Sequence, residues 1–473
     1  MNKMNPPGES LDAVVPALVG DDRRSVSLEG MHGTVFLPHS DAGFWKQWRA
    51  FVGPALLVSV GYMDPGNWGT DLQAGAQTKY GLLWIVALAS MMAVFLQIIS
   101  ARLGVVTGSD LAQCCRDWYP RWTRWPNWLM SELAIAACDL AEVLGSAVAI
   151  NLLFHVPMLW SVIITASDVL LLLALQRFGM RTIEAVVLLL VLTISVCYCI
   201  EIFVLPQTRP SFLEMGHAMI HPHFFGQYAL AIGIIGATVM PHNLYLHSAL
   251  VQSRKLQKDE ASVRQAIKFN TIDSTVALSI AFLVNAAILV LAGLVFYQKT
   301  GVTVPGGRVV QFNDDTDWIR DAYLTLAPLL GTAVASTIFA IALLASGQSS
   351  TITGTLAGQV VMEGFMHWRI SPWVRRVITR TLAILPAVII IGLRGEGSVN
   401  DLLVLSQVVL ALQLPFAMFP LLQFTSSKRR MGKWRLGWFL LIAGWTSAII
   451  ITAMDLYAVP DSLRDAVRVI RGH

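Results

Sequence analysis

Charge is scarce in this chain. Asp, Glu, Lys and Arg make up 14% of its 473 residues, against about 25% in soluble domains. Hydrophobic residues reach 55% and fall in long runs, which excludes a single soluble core and implies a chain that crosses a membrane many times. The net charge of +4 is small, and the basic residues are scattered among short connecting segments, so no basic face is offered to nucleic acid. Cysteine is equally sparse. Cys114, Cys115, Cys138, Cys197 and Cys199 lie in or beside apolar runs and form neither a disulfide framework nor a CxxC metal site. No Walker loop, HExxH pair or nucleophile elbow occurs, which argues against ATP-driven pumping and zinc proteolysis and leaves ionic gradients as the energy source. The first 45 residues are polar, with Gly and Pro and no apolar h-region, and read as a cytosolic disordered tail rather than a signal peptide.

Taking about 20 apolar residues per crossing, the sequence predicts eleven spans. They lie near 49–76, 81–104, 127–153, 157–176, 183–205, 226–251, 271–297, 326–361, 374–393, 399–423 and 437–457. A transmembrane domain over 46–457 and a short tail over 458–473 follow. Assigning alternate loops to opposite sides puts eighteen Lys and Arg on the side of the N-terminus, among them Arg254, Arg369 and Lys428. Six fall on the other side: Lys79, Arg209, Lys299, Arg308, Arg320 and Arg394. The excess predicts a cytosolic N-terminus and, with eleven spans, an extracytoplasmic C-terminus. Arg464, Arg468 and Arg471 on that tail stand against the trend.

Within the apolar first span stands Tyr62-Met63-Asp64-Pro65-Gly66-Asn67. An ionisable group inside a span is costly and marks a functional site by default. Pro65 removes a backbone N–H and Gly66 tolerates almost any backbone angle, so the helix breaks there and frees carbonyls beside a carboxylate and a carboxamide. A plain proline kink with a satisfied aspartate is the other reading of this stretch. The sixth span is interrupted in the same way at Met240-Pro241-His242-Asn243, five helices later. Two interrupted spans in corresponding positions of two five-helix halves, about 46–205 and 226–423, predict an inverted-repeat transporter with its site at the midplane and an eleventh helix outside the repeat. Pro241 leaves the carbonyl of Ala237 without its helical donor. Asp64, Asn67, that carbonyl and the Met240 thioether then make a mixed oxygen–sulfur site, which favours transition metals over the hard ions Mg²⁺ and Ca²⁺.

These motifs resemble the natural resistance-associated macrophage protein (Nramp) family of divalent metal transporters. The pair Asp-Pro-Gly-Asn and Met-Pro-His carries the likeness. It is extended by Asp139-Leu140-Ala141-Glu142, by Ala345-Ser346-Gly347-Gln348-Ser349-Ser350-Thr351 with the following Gly354-Thr355-Leu356-Ala357-Gly358-Gln359, and by Leu405-Ser406-Gln407. It covers about 45–457. The resemblance implies an all-helical polytopic fold of LeuT type, and inward movement of Mn²⁺, Fe²⁺ and related ions with protons. It places Asp64, Asn67, Ala237 and Met240 on the metal and adds Gln407 in some conformations. Gly61 stands where many relatives have Ala, and its carbonyl remains available as a ligand.

Proton coupling needs titratable groups near the ion. Asp64 is one, since an approaching dication favours loss of its proton. Glu132, Asp139 and Glu142 are spaced to share one helical face, and Arg375 and Arg376 are placed to pair with them, as the resemblance also implies. The alternative is that these acids only neutralise buried arginines. His242 adjoins the site and offers a relay; His247, five residues on, is as readily a structural hydrogen-bonder. His217, His221 and His223, and Asp314, Asp315 and Asp317, fall in predicted outer loops and read first as solvated groups, second as cation collectors. Asn285 and Gln348 read as helix–helix hydrogen-bonders.

The reading is a secondary transporter, not an enzyme, importing a divalent transition metal (Mn²⁺ first, then Fe²⁺, Co²⁺ and Cd²⁺) across the cell or inner membrane by alternating access. Metal and protons are substrates, no cofactor is expected, and the lipid bilayer is the only obligatory surrounding, with no nucleic acid or protein partner. The rivals are a LeuT-fold symporter of an organic substrate, whose carboxylate the Asp64 charge repels, a metal sensor that binds without transporting, and an intramembrane metalloenzyme, for which no activated water has a place.

Overall fold

Proline decides where the first span stops being a helix. In the computed structural model α1 (Phe44–Phe51) leads through Gly53 into α2 (Pro54–Ser59), a 3₁₀ turn over Val60–Met63, and α3 (Pro65–Thr78). Asp64 between them is extended, with φ −69° and ψ 164°, and caps α3 by accepting from the Asn67 N–H. The backbone N–H groups of Gly53 and Ala55, at the start of α2, donate to Asp273 of a distant helix at 3.3 and 3.0 Å. The structure describes residues 32–37, 43–167, 178–204, 208–222, 227–257, 259–304, 309–312, 316, 318–330, 333–368, 372–395 and 398–471.

The first half continues with α4 (Leu83–Thr107), α5 (Leu111–Trp118), α6 (Arg124–Phe154), α7 (Met158–Thr165) and α8 (Met180–Cys199). A π turn over Ile200–Val204 extends α8. After the short α9 (Phe212–Ile220) the second half opens with its own broken span. It comprises α10 (Tyr228–Thr238), an extended Val239 and Met240, and α11 (Pro241–Leu250) with proline in its first turn. Then follow α12 (Glu260–Val295), α13 (Trp318–Leu330), α14 (Ala333–Met366), α15 (Pro372–Arg394), α16 (Ser398–Ser426), α17 (Lys428–Met431) and α18 (Trp438–Arg471).

Among the described residues eight helices are long and apolar enough to cross a membrane: α4, α6, α8, α12, α14, α15, α16 and α18. The two broken spans account for two more of the eleven expected. For the fourth span, near 157–176, α7 is described and residues 168–177 lie outside the described residues. Both predicted breaks are present, and the inverted-repeat, LeuT-type fold stands. Several boundaries differ. α12 starts at Glu260, eleven residues ahead of the predicted 271, because Asp259 caps it by accepting from the Ser262 N–H at 3.1 Å. The predicted span 326–361 is two helices, α13 and α14. α18 runs on to Arg471 instead of ending near 457. A two-stranded antiparallel hairpin, β1 (Gly301–Thr303) with β2 (Val309–Gln311), interrupts the otherwise helical chain. The first 45 residues are not wholly tail. Gly33 and Val35 donate backbone hydrogen bonds to Gln252 and Ser253 at 3.0 Å each, and Lys255 donates to Val35 at 2.9 Å, because that stretch finds free backbone groups just beyond α11.

One apolar core joins both halves. α14 packs along α6, and α12 along α3 and α4. Trp68 is fully buried at the centre, its ring 5.3 Å from those of Tyr198 and Phe339, with its indole N–H on the Met63 carbonyl at 3.2 Å. That bond ties one freed carbonyl of the break to the core.

Candidate metal site

The first break presents one carboxylate in a fully buried setting. Asp64 Oδ1 accepts from the Asn67 backbone N–H at 2.9 Å and from its amide at 2.8 Å. Its Oδ2 is buried and has no hydrogen-bond partner among the described residues. The carbonyls around it divide into two kinds. Tyr62 and Met63 are tied down, by Asn285 at 2.8 Å and by Ser346 at 2.5 Å. Gly61 lies four residues before Pro65, so its carbonyl has no α-helical donor to receive.

The second break repeats this chemistry. Ala237 lies four residues before Pro241, and both Ala237 and Met240 are fully buried. The two breaks approach each other where the Thr238 hydroxyl, which donates to the Ile234 carbonyl at 2.6 Å, lies 3.4 Å from the Asn67 amide oxygen. Met240 packs against Ala134, Ala137 and Cys138 of α6 and Leu410 of α16. Gln407, also on α16, meets the first break directly: a methyl carbon built on Gly66 would lie 1.9 Å from its Nε2. Its Oε1 is buried and meets no partner among the described residues. Among those residues no three His, Cys, Asp or Glu side chains gather at one point. The donor set is therefore one charge, carboxamides, two carbonyls and a thioether, weaker than an all-anionic cage and suited to binding that must reverse.

A chain of polar contacts leaves the second break along α6. His242 Nε2 is 3.7 Å from Cys138 Sγ, and that thiol donates to Glu142 Oε1 at 3.3 Å. Glu142 lies 3.9 Å from Arg380, which is 3.6 Å from Asp139, while Arg376 donates to Asp139 at 2.8 Å. Farther along, Arg375 donates to both oxygens of Glu132 at 2.9 Å, and the Trp128 indole adds a bond at 3.1 Å. Asp139 and Glu142 are fully buried and Glu132 is partly exposed, so the series runs from the break toward a surface. His247 is not part of it. Its Nδ1 faces Gln97 at 2.9 Å, and Gln97 donates to the Tyr62 hydroxyl at 2.7 Å, on the opposite side of α11.

Sequence reasoning passed over several members of these networks. Arg380 follows Arg376 by one helical turn inside an apolar run, and an intramembrane arginine was itself the signal. Cys138 stands one turn before Glu142. At the start of the first span, Arg254 and Arg181 both bind Glu184 at 2.8 Å and both hold the Val52 carbonyl, at 2.7 and 2.8 Å. Of the weaker candidates, His217 and His221 meet with ring centres 4.4 Å apart, tilted by 37°. His223, Asp314, Asp315 and Asp317 lie outside the described residues. Asn285 makes the interhelical bond expected of it, and Gln348 reaches Ser146 at 3.4 Å. Beyond α3, Lys79 pairs with Glu214 of α9, and that hydrogen bond holds the ammonium pKa above its usual value.

Residues 55–460 match the model of the family described as natural resistance-associated macrophage protein-like. The chain is 48% identical over 444 residues to the divalent metal cation transporter MntH of Nostoc sp., covering 92% of this chain and 96% of that one. It is 46% identical over 435 residues to the protein of the same name from Listeria innocua, covering 91% and 94%. A solved manganese transporter of Eremococcus coleocola superposes with a TM-score of 0.83 at 37% identity over 94% of this chain and 96% of that one. Mhp1, a nucleobase-cation-symport-1 family transporter, superposes with a TM-score of 0.56 at 14% identity over 89% and 93%, a likeness of fold alone.

Proposed function

The chain belongs to the Nramp family of metal transporters, and we propose from that premise that it carries divalent transition-metal ions across the membrane together with protons. Mn²⁺ is the foremost substrate, with Fe²⁺, Co²⁺ and Cd²⁺ accepted by the same donors. The observation that carries this reading is the meeting of the two breaks. Asp64 Oδ2 is buried without a partner among the described residues, beside Asn67 and its contact to Thr238, with two carbonyls stripped of helical donors by Pro65 and Pro241. The manganese transporter of similar structure and the relatives named for divalent metal cations support the choice of substrate.

The ion sheds most of its water and binds Asp64, Asn67, the Gly61 and Ala237 carbonyls and the Met240 sulfur, with Gln407 at hand against Gly66. Its charge drives the proton from Asp64. His242, Glu142, Asp139 and Glu132, neutralised by Arg380, Arg376 and Arg375, form the proton route, and His247 stays with Gln97. The half-helices rock about the site to close one side and open the other. The positive-inside count supports a cytosolic N-terminus.

The test is Mn²⁺ uptake into proteoliposomes holding a pH-sensitive dye, wild type beside Asp64→Ala. The expected result is uptake with internal acidification, both lost in the variant. Saturable binding with no uptake in the wild type would replace transport by sensing.

A further inference from the structure

The two breaks have the same grammar. Asp64-Pro65-Gly66-Asn67 and Met240-Pro241-His242-Asn243 each read cap, proline, any residue, asparagine, so Asn67 and Asn243 hold the same place in the first turn of their half-helices. The Asn67 amide nitrogen donates to Asp64 at 2.8 Å, and its oxygen lies 3.4 Å from the Thr238 hydroxyl. Asn243 is fully buried, and neither its Oδ1 nor its Nδ2 has a partner among the described residues. The difference lies in the cap. Asp64 offers its own half-helix an oxygen to bind, whereas Met240 makes no side-chain capping bond. The Asn243 amide therefore turns away from its own helix.

It turns to the first break. A methyl carbon built on Gly61 would lie 2.2 Å from Asn243 Nδ2, 3.1 Å from Cγ and 3.3 Å from Oδ1, so the amide occupies the notch left by the absent side chain. Gly61 is the residue whose carbonyl loses its helical donor to Pro65, and Asp64 follows it within one turn. Gln407 sits on Gly66 in the same manner, also with a partnerless amide oxygen. Two carboxamides thus flank the Asp64-Pro65 step, each seated on a glycine. A buried amide without a partner is costly; with Nδ2 seated against Gly61, a divalent cation beside Asp64 is one group that would satisfy the Oδ1. A neutral carboxamide supplies a hard donor without adding charge.

We propose that Asn243 contributes a further oxygen to the transported cation, as the second repeat's equivalent of Asn67, and that Gly61 is the residue that lets it reach. This rests on the transport reading above. Loss of that oxygen leaves a site relatively richer in sulfur, so the harder ion suffers more than the thiophilic one.

The experiment measures Mn²⁺ and Cd²⁺ binding by calorimetry and uptake in proteoliposomes for wild type, Asn243→Ala, Asn243→Asp, Gly61→Ala and the Gly61→Ala/Asn243→Ala double variant. Asn243→Ala is expected to weaken Mn²⁺ binding by about ten-fold and Cd²⁺ binding by less, with KM following the binding constant. Asn243→Asp restores Mn²⁺ binding. Gly61→Ala displaces the amide and reproduces Asn243→Ala, and the double variant is no worse than either single one. Unchanged Mn²⁺ binding in Asn243→Ala overturns the proposal. So does equal loss for both ions with Asn243→Asp as deficient as Asn243→Ala, the signature of a packing role, and so do additive effects in the double variant. Wild-type vesicles that take up no Mn²⁺, or Asp64→Ala that binds it as wild type does, would instead remove the transport reading on which this one stands.

Discussion

At the level of single residues the candidate site is governed by what each donor contributes. Asp64 gives the only formal charge, half of it already shared with Asn67 through Oδ1. Met240 gives the only soft donor and sits in an apolar contact with Ala134, Ala137, Cys138 and Leu410, where exchanging it for a smaller side chain changes chemistry without exposing a new charge. Met240→Ala is expected to keep Mn²⁺ uptake within about ten-fold of wild type, or about 1.4 kcal/mol, while Ca²⁺ and Mg²⁺ begin to compete. Competition assays with both hard ions check this, and Ca²⁺ exclusion left intact would dismiss the thioether as a selectivity element.

At the level of elements the candidate site lies between two helices that are kept broken. Pro65 and Pro241 each start a half-helix, and the preceding residues Asp64 and Met240 are extended. Pro241→Ala restores an N–H that the Ala237 carbonyl can accept. The span is expected to gain about 1 kcal/mol, a part of the ~3 kcal/mol by which proline trails alanine inside a helix, and to lose transport as the carbonyl is withdrawn from the ion. The variant should melt higher in detergent and take up Mn²⁺ more slowly. A variant that transports as wild type does would show that the break need not stay open. The boundaries that differed from expectation have local causes of the same kind. Asp259 caps α12 early, and α13 and α14 divide one apolar run between them.

Across the whole molecule the notable feature is a polar series that links the centre to a surface. It comprises His242, Cys138, Glu142, Arg380, Asp139 and Arg376, with Arg375 and Glu132 beyond. Three acids face three arginines, so the series stays close to neutral inside an apolar medium, which a buried run of like charge would not tolerate. If the proposed proton route follows it, Glu142→Gln should leave Mn²⁺ uptake in place while the acidification that accompanies each ion falls toward zero. Simultaneous radiotracer and dye measurements separate the two. Undiminished acidification would place the proton route elsewhere.

The sequence by itself determined most of the spans, the two breaks and the inverted-repeat fold, and it nominated the central donors, because each of these is written in local chemistry. Apolar length makes a span, and a proline inside it makes a break at a known residue. Arg375 and Arg376 were within reach of the same reasoning, since charge in a span demands an opposite charge somewhere. Only the tertiary structure decided which partner each group meets. His242 and His247, five residues apart, go to different networks because they leave α11 on different sides, one toward α6 and the other toward α4. Cys138 and Arg380 enter because α6 and α15 bring them to Glu142. Asn243 and Gln407 reach the first break because Gly61 and Gly66 leave room for them. A glycine in sequence states only that a side chain is missing, and the packing of helices from both halves decides what fills the space.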